Sequence, residues 1–455
     1  MSQPVDLLVI GGGPSGYCGA IRGRQLGKSV VLVEKISVGG TCLNRGCIPT
    51  KSLLESAARF RSLSSMSEYG VEVSEAKVNF PQVMAKKDSV VKRLVQGLRY
   101  LLKQKGVEVV SGEAEFLTSS TVQVGDVIYE PSCILVATGT APADLPNLAC
   151  DGTRILNSDQ ILELESLPES LLVVGGGVIG CEYATVFSSL GVDVTIVELA
   201  ERILPTEDQD LSRTLMREFK KNKIKVLTSA QVKQADVDGD AVSVKVEHKG
   251  RLEEFVVDQV LVSVGRKPVL PKGFPGEVDG RGYIVVDEKF QTSVPGIYAA
   301  GDIIGGIQLA HLAFDEGTAA VEFAFGGSPK AEWQVPRCIY THPEIAAVGL
   351  TESEAREQYG DGIRLSQFSL KGSGKAVISG ADSGFCKVIA DNRGNVLGVH
   401  MIGPQATEII AEAVAVMEKG ISLSDWAEVM HPHPTVAEAV REAVLAGLGR
   451  GLHSI

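Results

Sequence analysis

The sequence has no surplus of basic charge, no long apolar run and no basic stretch near its first residue. Its formal net charge is −12, whereas a nucleic-acid-binding surface needs a basic face, so we expect no nucleic-acid partner. No apolar run approaches the ~20 residues that a membrane-spanning helix needs, so we expect no membrane association. The N-terminus lacks the basic region of a secretory signal, and we therefore expect a cytoplasmic location.

The chain is longer than one hydrophobic core usually supports, and glycine is the residue in excess. Its 455 residues, 44% apolar and 22% charged, predict a globular protein of two to four domains. Glycine occupies 50 positions, about 11% of the chain against a usual ~7%. This excess indicates tight turns or places where the backbone approaches a ligand closely.

One pattern occurs twice in the chain. LLVIGGGPSG at 7–16 leads to a strand that ends at Glu34, and LLVVGGGVIG at 171–180 leads to one that ends at Glu198. In both copies, 23 positions separate the first glycine of the turn, Gly11 or Gly175, from the acidic residue. Strand, glycine turn, helix, strand and acid in this order are typical of a dinucleotide-binding unit. We therefore predict two bound dinucleotides in two similar α/β units.

Each residue type in the repeat has a physical role toward a dinucleotide. The first glycine allows the tight turn, the second lets a pyrophosphate approach the backbone, and the third lets the helix pack against the sheet. The helix N-terminus offers free N–H groups to the phosphates, and the acid accepts hydrogen bonds from ribose hydroxyls. The contacts predicted for the first unit are Gly11, Gly13, Gly16 and Glu34, and those for the second are Gly175, Gly177, Val178, Ile179, Gly180, Glu198 and Gly265.

The second unit is predicted to bind NAD rather than NADP. A carboxylate at Glu198 would repel a 2′-phosphate, for which an arginine is the usual partner. Arg202 lies four residues further on, but Glu198 holds the key position. The same reasoning does not assign the dinucleotide of the first unit.

Two of the eight cysteines, Cys42 and Cys47, lie five positions apart in GGTCLNRGCIPTK at 39–51. A structural zinc site usually needs four ligands, and no second Cys or His pair stands at matching spacing, so we expect no metal. A structural bridge over so short a loop would add little stability. Gly46 and Pro49 favour a distorted helix start, which lets the two cysteines form a disulfide and open it again. A thiolate near a helix N-terminus is also stabilised. A redox-active pair is the favoured of the three interpretations.

The segment HPHPTVAEAVREA at 431–443 contains the candidate base. Oxidation of a dithiol needs a group that takes a thiol proton near neutral pH, and histidine titrates there. His433 precedes Glu438 by five residues, and a carboxylate on one ring nitrogen would fix the tautomer and raise the basicity of the other. Pro434 predicts a helix start that puts Glu438 about one turn into the helix. His431 is the competing candidate, and we expect it to line the site.

From about Pro336 onward the chain carries no dinucleotide signature. The stretch at 387–403 predicts an antiparallel hairpin with DNRG as its turn, and the stretch at 406–420 predicts an amphipathic helix. Broad apolar faces in this region suit a domain that packs against a partner subunit.

These motifs together resemble the pyridine nucleotide-disulfide oxidoreductases, a family of flavoproteins. The resemblance covers essentially the whole chain and depends on GGGPSG, GGTCLNRGCIPTK, VATG, GGGVIG, AAGD and HPHPTVAEA. It implies an α/β fold with two Rossmann-like (βαβ, three-layer) dinucleotide-binding domains and an α+β C-terminal dimerisation domain. The expected limits are 1–145 with 271–335 for a discontinuous FAD-binding domain, 146–270 for the NAD-binding domain, and 336–455 for the dimerisation domain.

The resemblance also implies a role for single residues. Cys47 would lie nearer the flavin and Cys42 would face the substrate, while Lys51 would approach the flavin and pair with Glu182. His433 would act as the base from the other subunit of a homodimer, so that the active sites are shared. The FAD contacts that the resemblance adds to the glycine turn and Glu34 are Thr41, Lys51, Thr138, Gly139, Asp302 and Ala310.

The activity implied is oxidation of protein-bound dihydrolipoamide to lipoamide, with FAD and NAD as cofactors and NAD⁺ reduced to NADH. The alternative is an NAD(P)H-dependent reductase of another small disulfide, glutathione- or mycothione-like, which Glu198 opposes. The pair Cys42 and Cys47 argues against a diaphorase without dithiol chemistry, and His433 against a scaffold subunit. Expected partners are the lipoyl domain and acyltransferase core of a 2-oxo acid dehydrogenase complex, or the glycine cleavage system. Arg45, inside the redox segment, has no assigned role.

Overall fold

The computed structural model describes residues 2–453. Short 3-10 turns lie at Leu63–Tyr69, Gln160–Glu163, Asp302–Ile304 and Leu370–Gly372. The helices are α1 (Pro14–Gln25), α2 (Gly40–Arg45), α3 (Cys47–Ser62), α4 (Phe80–Gln104), α5 (Val178–Ser189), α6 (Gln209–Lys221), α7 (Ala310–Ala324), α8 (Glu352–Tyr359), α9 (Gly374–Ile378), α10 (Ala406–Glu418), α11 (Leu423–Ala427) and α12 (Glu438–Gly447). The strands are β1 (Ser2–Ile10), β2 (Val30–Glu34), β3 (Glu108–Ser111), β4 (Ala114–Phe116), β5 (Val122–Val124), β6 (Val127–Val136), β7 (Thr140–Pro142), β8 (Ile155–Asn157), β9 (Ser170–Val174), β10 (Asp193–Val197), β11 (Lys225–Leu227), β12 (Ala230–Asp238), β13 (Ala241–His248), β14 (Arg251–Val257), β15 (Gln259–Val262), β16 (Arg266–Pro268), β17 (Ile297–Ala299), β18 (Arg337–Ile339), β19 (Glu344–Gly349), β20 (Ile363–Ser369), β21 (Phe385–Asp391) and β22 (Val396–Gly403).

The first glycine turn follows the C-terminal end of β1, a central strand in a sheet with the order β3-β2-β1-β6-β5-β4. Strand β17 also belongs to this sheet and pairs with β6. Strand β1 pairs in parallel with β2 and β6, so both of its edges are hydrogen-bonded. Leu7 packs with Ala20 of α1 and Ala320 of α7, whereas Leu8 packs with Phe116 on the opposite face. Because β17 follows the second unit in the chain, the first unit is built from two separate stretches of sequence.

The second glycine turn follows β9 in a parallel sheet with the order β11-β10-β9-β15-β8. Leu171 packs on one face with Ala184 of α5, and Leu172 packs on the other with Val244 of β13. The antiparallel sheet β12-β13-β14 forms this third layer. Helix, parallel sheet and antiparallel sheet therefore give the second unit its three layers.

The C-terminal part of the chain is an antiparallel sheet with the order β18-β19-β22-β21-β20, covered by helices. Strands β21 and β22 form the predicted hairpin, and α10 is the predicted amphipathic helix. Ala413 of α10 and Ala443 of α12 pack on one face of the sheet, while Ile402 on its other face packs in the same cluster as Leu211 of α6.

The predicted fold class is confirmed by these three parts, two with parallel sheets and one α+β. Among residues 2–453, no helix combines the length and the apolar character that crossing a bilayer requires. The numerical limits of the three domains stay predictions.

Candidate active site

The two glycine turns have the same backbone geometry. Gly11 has φ +104° and Gly175 has φ +105°, in the left-handed region that favours glycine. A Cβ at Gly16 would collide with the carbonyl oxygen of Gly11, and one at Gly180 with that of Gly175. These four positions therefore exclude any side chain, as a close contact of helix, turn and sheet requires.

The acidic residues that end the second strands are tied to the glycine turns. Glu34 accepts a hydrogen bond from the N–H of Gly12 at 2.7 Å, and Glu198 accepts one from Gly176 at 2.5 Å. Glu34 also accepts from the backbone of Ile36 at 2.7 Å. Both carboxylates thus lie next to their glycine turn, where the ribose of a dinucleotide would lie.

The space in front of both helices fits a dinucleotide. Gly13 and Gly177 are the N-terminal caps of α1 and α5, and no described side chain caps either helix, so backbone N–H groups remain free for phosphate oxygens. Within the described chain, nothing lies within 4 Å of a Cβ at Gly177, which would point into this open space. Val178 and Ile179 form the first turn of α5, and Gly265, with φ +121°, follows β15 on the neighbouring edge.

Helices α2 and α3 hold the two cysteines on either side of a break at Gly46. Cys42 lies in α2 and Cys47 is the first residue of α3, so the predicted distorted helix start is a full interruption of the helix. The thiol of Cys42 is hydrogen-bonded to the sulfur of Cys47. This contact raises the pKa of Cys42 well above its ordinary value, with burial adding to the rise.

The same contact acts in the opposite direction on Cys47. The hydrogen bond from Cys42 lowers the pKa of Cys47 to about 7, helped by the positive charge of Lys51 and opposed by burial. In the reduced pair, Cys47 is therefore the thiolate and Cys42 the thiol that donates to it.

Lys51 lies one helical turn after Cys47 and is held by a buried carboxylate. Its Nζ lies 2.8 and 3.0 Å from the two oxygens of Glu182 on α5. The ammonium also lies 4.6 Å from the ring centroid of Tyr340, whose backbone N–H donates to Glu182 at 3.0 Å. Three parts of the chain thus fix one positive charge beside the cysteines.

A second polar cluster lies at the end of β6. Thr140 donates to Asp302 at 2.9 Å and accepts from the Nε of Arg266 at 2.8 Å. Arg266 also lies 3.4 Å from the hydroxyl of Thr41, which follows the redox segment's first glycines. The Oγ1 of Thr138 is buried and has no hydrogen-bond partner among the described residues, as expected of a group that bonds a bound cofactor.

The remaining predicted FAD contacts surround this cluster. Gly139 has φ +66° next to Thr138, and Ala310 begins α7. Glu316, one and a half turns into α7, accepts a hydrogen bond from Gly301 at 2.8 Å and so fixes the turn that carries Asp302. Burial raises the pKa of Glu316 to about 7.

His433 and Glu438 form the predicted pair. The Nδ1 of His433 lies 2.9 Å from Glu438, and the histidine side chain is 79% exposed. No hydrogen bond joins His433 to the two cysteines or Lys51 within residues 2–453 of one chain. The ring is thus exposed and not bonded to its own redox segment, which is compatible with a base that serves another subunit.

One expectation about this segment is wrong, because α12 begins at Glu438 and not near Pro434. The carboxylate of Glu438 accepts from the backbone of Thr435 at 2.9 Å, and the hydroxyl of Thr435 donates to the carbonyl of Pro432 at 2.9 Å. These bonds fold 432–435 into a turn ahead of the helix. His431 is buried, with both ring nitrogens bonded, and is not free to take a proton.

Sequence reasoning missed Tyr340, Arg266 and Glu316, which hold predicted residues in place. Only Arg266 had a signal nearby, because it follows the predicted Gly265. Arg45, which had no role, forms an ion pair at 3.4 Å with Asp159 of the second unit. In the part of the chain that the structure describes, no three His, Cys, Asp or Glu side chains are grouped to hold a metal ion.

The chain matches two family descriptions along its length. Residues 5–317 match Pyridine nucleotide-disulphide oxidoreductase, and residues 335–444 match the dimerisation domain of that family. A dihydrolipoyl dehydrogenase of Bacillus subtilis is 42% identical over 473 residues, covering 99% of this chain and 100% of that protein. One of Thermus scotoductus is 39% identical, covering 98% of both.

Solved structures show the same fold. LpdA of Mycobacterium tuberculosis superposes with a TM-score of 0.90 at 28% identity, covering 97% of this chain and 99% of that one. The HOCl-induced flavoprotein disulfide reductase RclA of Escherichia coli superposes with a TM-score of 0.86 at 26% identity, covering 96% and 99%.

Proposed function

The chain belongs to the pyridine nucleotide-disulphide oxidoreductase family, and we propose that it is a dihydrolipoyl dehydrogenase. Its reaction is the oxidation of protein-bound dihydrolipoamide to lipoamide with the reduction of NAD⁺ to NADH. The observation that carries the proposal is the hydrogen-bonded pair Cys42 and Cys47, whose thiols have opposite pKa shifts. Full-length relatives that are dihydrolipoyl dehydrogenases support this substrate.

FAD and NAD are the cofactors, and the residues present fit them. The first turn, with Glu34 and the cluster around Asp302, would hold FAD beside the cysteines and Lys51. The second turn, with Glu198 and Gly265, would hold NAD. When bound, FAD supplies the two-electron chemistry between the dithiol and the nicotinamide.

The protein's own part in the reaction is disulfide exchange and proton transfer. His433 of the partner subunit takes a proton from one substrate thiol, and the resulting thiolate attacks the sulfur of Cys42 in the Cys42–Cys47 disulfide. A mixed disulfide forms, and Cys47 leaves as a thiolate, which its lowered pKa favours. The substrate's second thiol then attacks its own disulfide-bonded sulfur and releases cyclic lipoamide. Cys42 leaves as a thiolate and takes up a proton.

Glu438 and Lys51 support these steps electrostatically. Glu438 accepts the Nδ1 proton of His433, which leaves Nε2 as the basic nitrogen. Lys51, fixed by Glu182, stabilises the Cys47 thiolate with its positive charge. The proposed roles of all these residues are supported by their geometry and by the family's motifs.

The proposed assembly is a homodimer with shared active sites. The match to the family's dimerisation domain over 335–444 supports it, as does the outward orientation of His433. Proposed partners are the lipoyl domain and acyltransferase core of a 2-oxo acid dehydrogenase complex, or the glycine cleavage system. The cytoplasmic location and the domain limits 1–145 with 271–335, 146–270 and 336–455 remain predictions.

Steady-state turnover tests the proposed function. The purified flavoprotein is assayed with dihydrolipoamide plus NAD⁺, and in parallel with glutathione disulfide plus NADPH. We expect turnover in the first assay alone. Turnover confined to the second assay would replace the proposal with the small-disulfide reductase.

A further inference from the structure

His431 lies two residues before His433 and is bonded through both ring nitrogens. Its Nε2 lies 3.0 and 3.1 Å from the two oxygens of Glu412, and its Nδ1 lies 3.2 Å from the carbonyl oxygen of Val429. A carboxylate and a carbonyl oxygen can only accept hydrogen bonds. Both ring nitrogens must therefore carry a proton for both bonds to form, which makes the ring of His431 an imidazolium.

Glu412 is held in the ionised state that this arrangement needs. Its Oε1 accepts a second hydrogen bond, at 2.7 Å, from the indole N–H of Trp426, which is buried. Burial opposes ionisation, but the bonds from His431 and Trp426 hold the pKa of Glu412 below its ordinary value. The pair is thus a salt bridge whose histidine side chain is only 4% exposed.

Few other charges act on His431. Arg441 and Glu438 of α12 act on it from a distance, and Cys386 of β21 is the titratable group that faces Glu412 from the sheet. The hydrogen bond to Glu412 raises the pKa of His431, against burial and the charge of Arg441. Glu412 therefore decides the protonation state of this ring.

The two histidines of the HPHP segment are in opposite states. His433 has one bonded nitrogen, Nδ1, and is exposed, so its Nε2 is free to accept a proton. Between α11 and His431 the side chains of Val429 and Met430 are exposed, at 45% and 91%. The bond from His431 to α10 therefore anchors the chain directly before the turn that carries His433.

We propose that His431 is a positioning residue for His433, which as an imidazolium ties the segment 429–433 to Glu412 on α10 and so holds the base in place. This inference rests on the proposed role of His433 in dihydrolipoamide oxidation. It assigns the two histidines different tasks: one keeps its proton and the other exchanges it.

The sign of the pH dependence follows from the bonds. A histidine whose pKa is raised in the folded protein stabilises its surroundings at low pH and loses this effect as the pH rises through that pKa. In Glu412→Gln, the amide would donate to Nε2 and still accept from Trp426. The neutral ring would then make both bonds, whereas the Nε2 proton of a protonated ring would face the amide N–H₂ in place of Oε2 and would have to share Oε1 with Trp426. The substitution therefore reverses the pH preference of the contact while keeping its shape.

Two measurements on the holoenzyme test the proposal. Hydrogen–deuterium exchange at the imidazole C2 position, followed by mass spectrometry, gives the titration midpoint of each histidine. Rapid mixing with dihydrolipoamide gives the rate at which the enzyme disulfide is reduced, in wild type and Glu412→Gln, across the pH range where histidine titrates. The matched control is His453→Gln, which removes another histidine–carboxylate pair of this region, whose Nδ1 lies 2.9 Å from Glu442.

We expect His431 to titrate above the ordinary value of ~6.5, and Glu412→Gln to lower that midpoint by about one unit or more. The rate of Glu412→Gln relative to wild type should rise about tenfold from acid to alkaline pH, a fraction of the roughly 100-fold that a misplacement of about 1 Å can cost. The ratio for His453→Gln should stay constant.

A midpoint for His431 at or below ~6.5 in wild type would overturn the proposal, as would a ratio for Glu412→Gln that does not change with pH. A merely structural contact predicts the second result. If wild type fails to react with dihydrolipoamide, the proposed function fails instead. The exchange experiment, which uses no substrate, then still decides the charge of His431.

Discussion

At the scale of single residues, the positive charge of Lys51 adds to the hydrogen bond from Cys42 that makes Cys47 the thiolate of the pair. Glu182, which is buried, pairs with the ammonium at 2.8 Å, and the ammonium lies 4.6 Å from the ring centroid of Tyr340. Cys47 gains from this charge because it lies one helical turn away. The reactivity of the redox pair is thus a property of three parts of the chain and not of the cysteines alone.

Lys51→Met is expected to shift formation of the Cys47 thiolate from about pH 7 to higher pH. The positive charge that lowers its pKa is then missing, and Glu182 is left buried without a counter-ion. The ultraviolet absorbance of the thiolate in the reduced enzyme, followed against pH, measures the shift. Lys86→Met, on the exposed face of α4, is the control and should leave the midpoint unchanged. A midpoint that stays near 7 in Lys51→Met would exclude this role.

The residues that could be foreseen are those whose signal is local in sequence. Gly11 and Gly175 stand in a repeated turn, and Cys42 and Cys47 stand in one short segment. Tyr340 could not be foreseen, because it follows β18 and lies almost 300 residues from Lys51 in the chain. Glu412 likewise meets His431 only through the packing of α10 on the C-terminal sheet.

At the scale of secondary structure, each glycine turn separates residues that build the fold from residues that leave room for a ligand. A Cβ at Gly180 would meet the backbone of Gly175, whereas a Cβ at Gly177 would meet only open space. The same sequence pattern therefore meets two different requirements, close packing of the helix at Gly180 and space for a ligand at Gly177. The sequence pattern predicts the turn, its helix and this division of roles, and the packing shows how closely the backbone encloses Gly180.

Gly180→Ala and Gly177→Ala form a matched pair that tests this division. Gly180→Ala should lower the stability of the second unit by roughly 1–3 kcal/mol or more, because the added methyl overpacks the contact of helix and turn. Gly177→Ala should keep the thermal unfolding temperature and weaken NADH binding. Calorimetry and NADH titration measure the two effects. Equal losses of stability in both variants would contradict the assignment.

At the scale of the whole molecule, a buried lysine joins the second unit to the C-terminal sheet. The Nζ of Lys387 on β21 lies 3.0 Å from Asp208, 2.8 Å from Asp210 and 2.7 Å from Glu352, and its side chain is 4% exposed. Burial opposes the charge of Asp208, but its backbone hydrogen bonds, His400 and Lys387 together hold the pKa of that carboxyl below its ordinary value.

Lys387→Met should destabilise the protein by about 3–5 kcal/mol near neutral pH, because it leaves Asp208 buried and unpaired. The loss should shrink as the pH falls through the lowered pKa of Asp208, since a protonated carboxyl needs no counter-ion. Denaturant unfolding at several pH values measures this. Lys233→Met, which removes an exposed pair with Glu247, should cost about 1 kcal/mol or less. If Lys387→Met lost as little stability as Lys233→Met, the lysine would not hold the second unit to the C-terminal sheet.

A shared active site makes a prediction about mixed dimers. Chains with Cys47→Ser and chains with His433→Gln are each expected to be inactive with dihydrolipoamide. When they are unfolded and refolded together, each mixed dimer combines an intact Cys47 with the partner's intact His433 at one of its two sites. About a quarter of wild-type activity should return, since half of the dimers are mixed. If no activity returns although mixed dimers form, the base belongs to the same chain.

The central claim is that Cys42 and Cys47 accept electrons from a dithiol, and its most direct test is a count of enzyme thiols in one turnover. The oxidised holoenzyme is mixed without oxygen with dihydrolipoamide, alkylated and mapped by mass spectrometry, with and without subsequent NAD⁺. We predict that Cys42 and Cys47 both become alkylated and that NAD⁺ removes this labelling. Labelling of neither cysteine, while dihydrolipoamide is still oxidised, would contradict it.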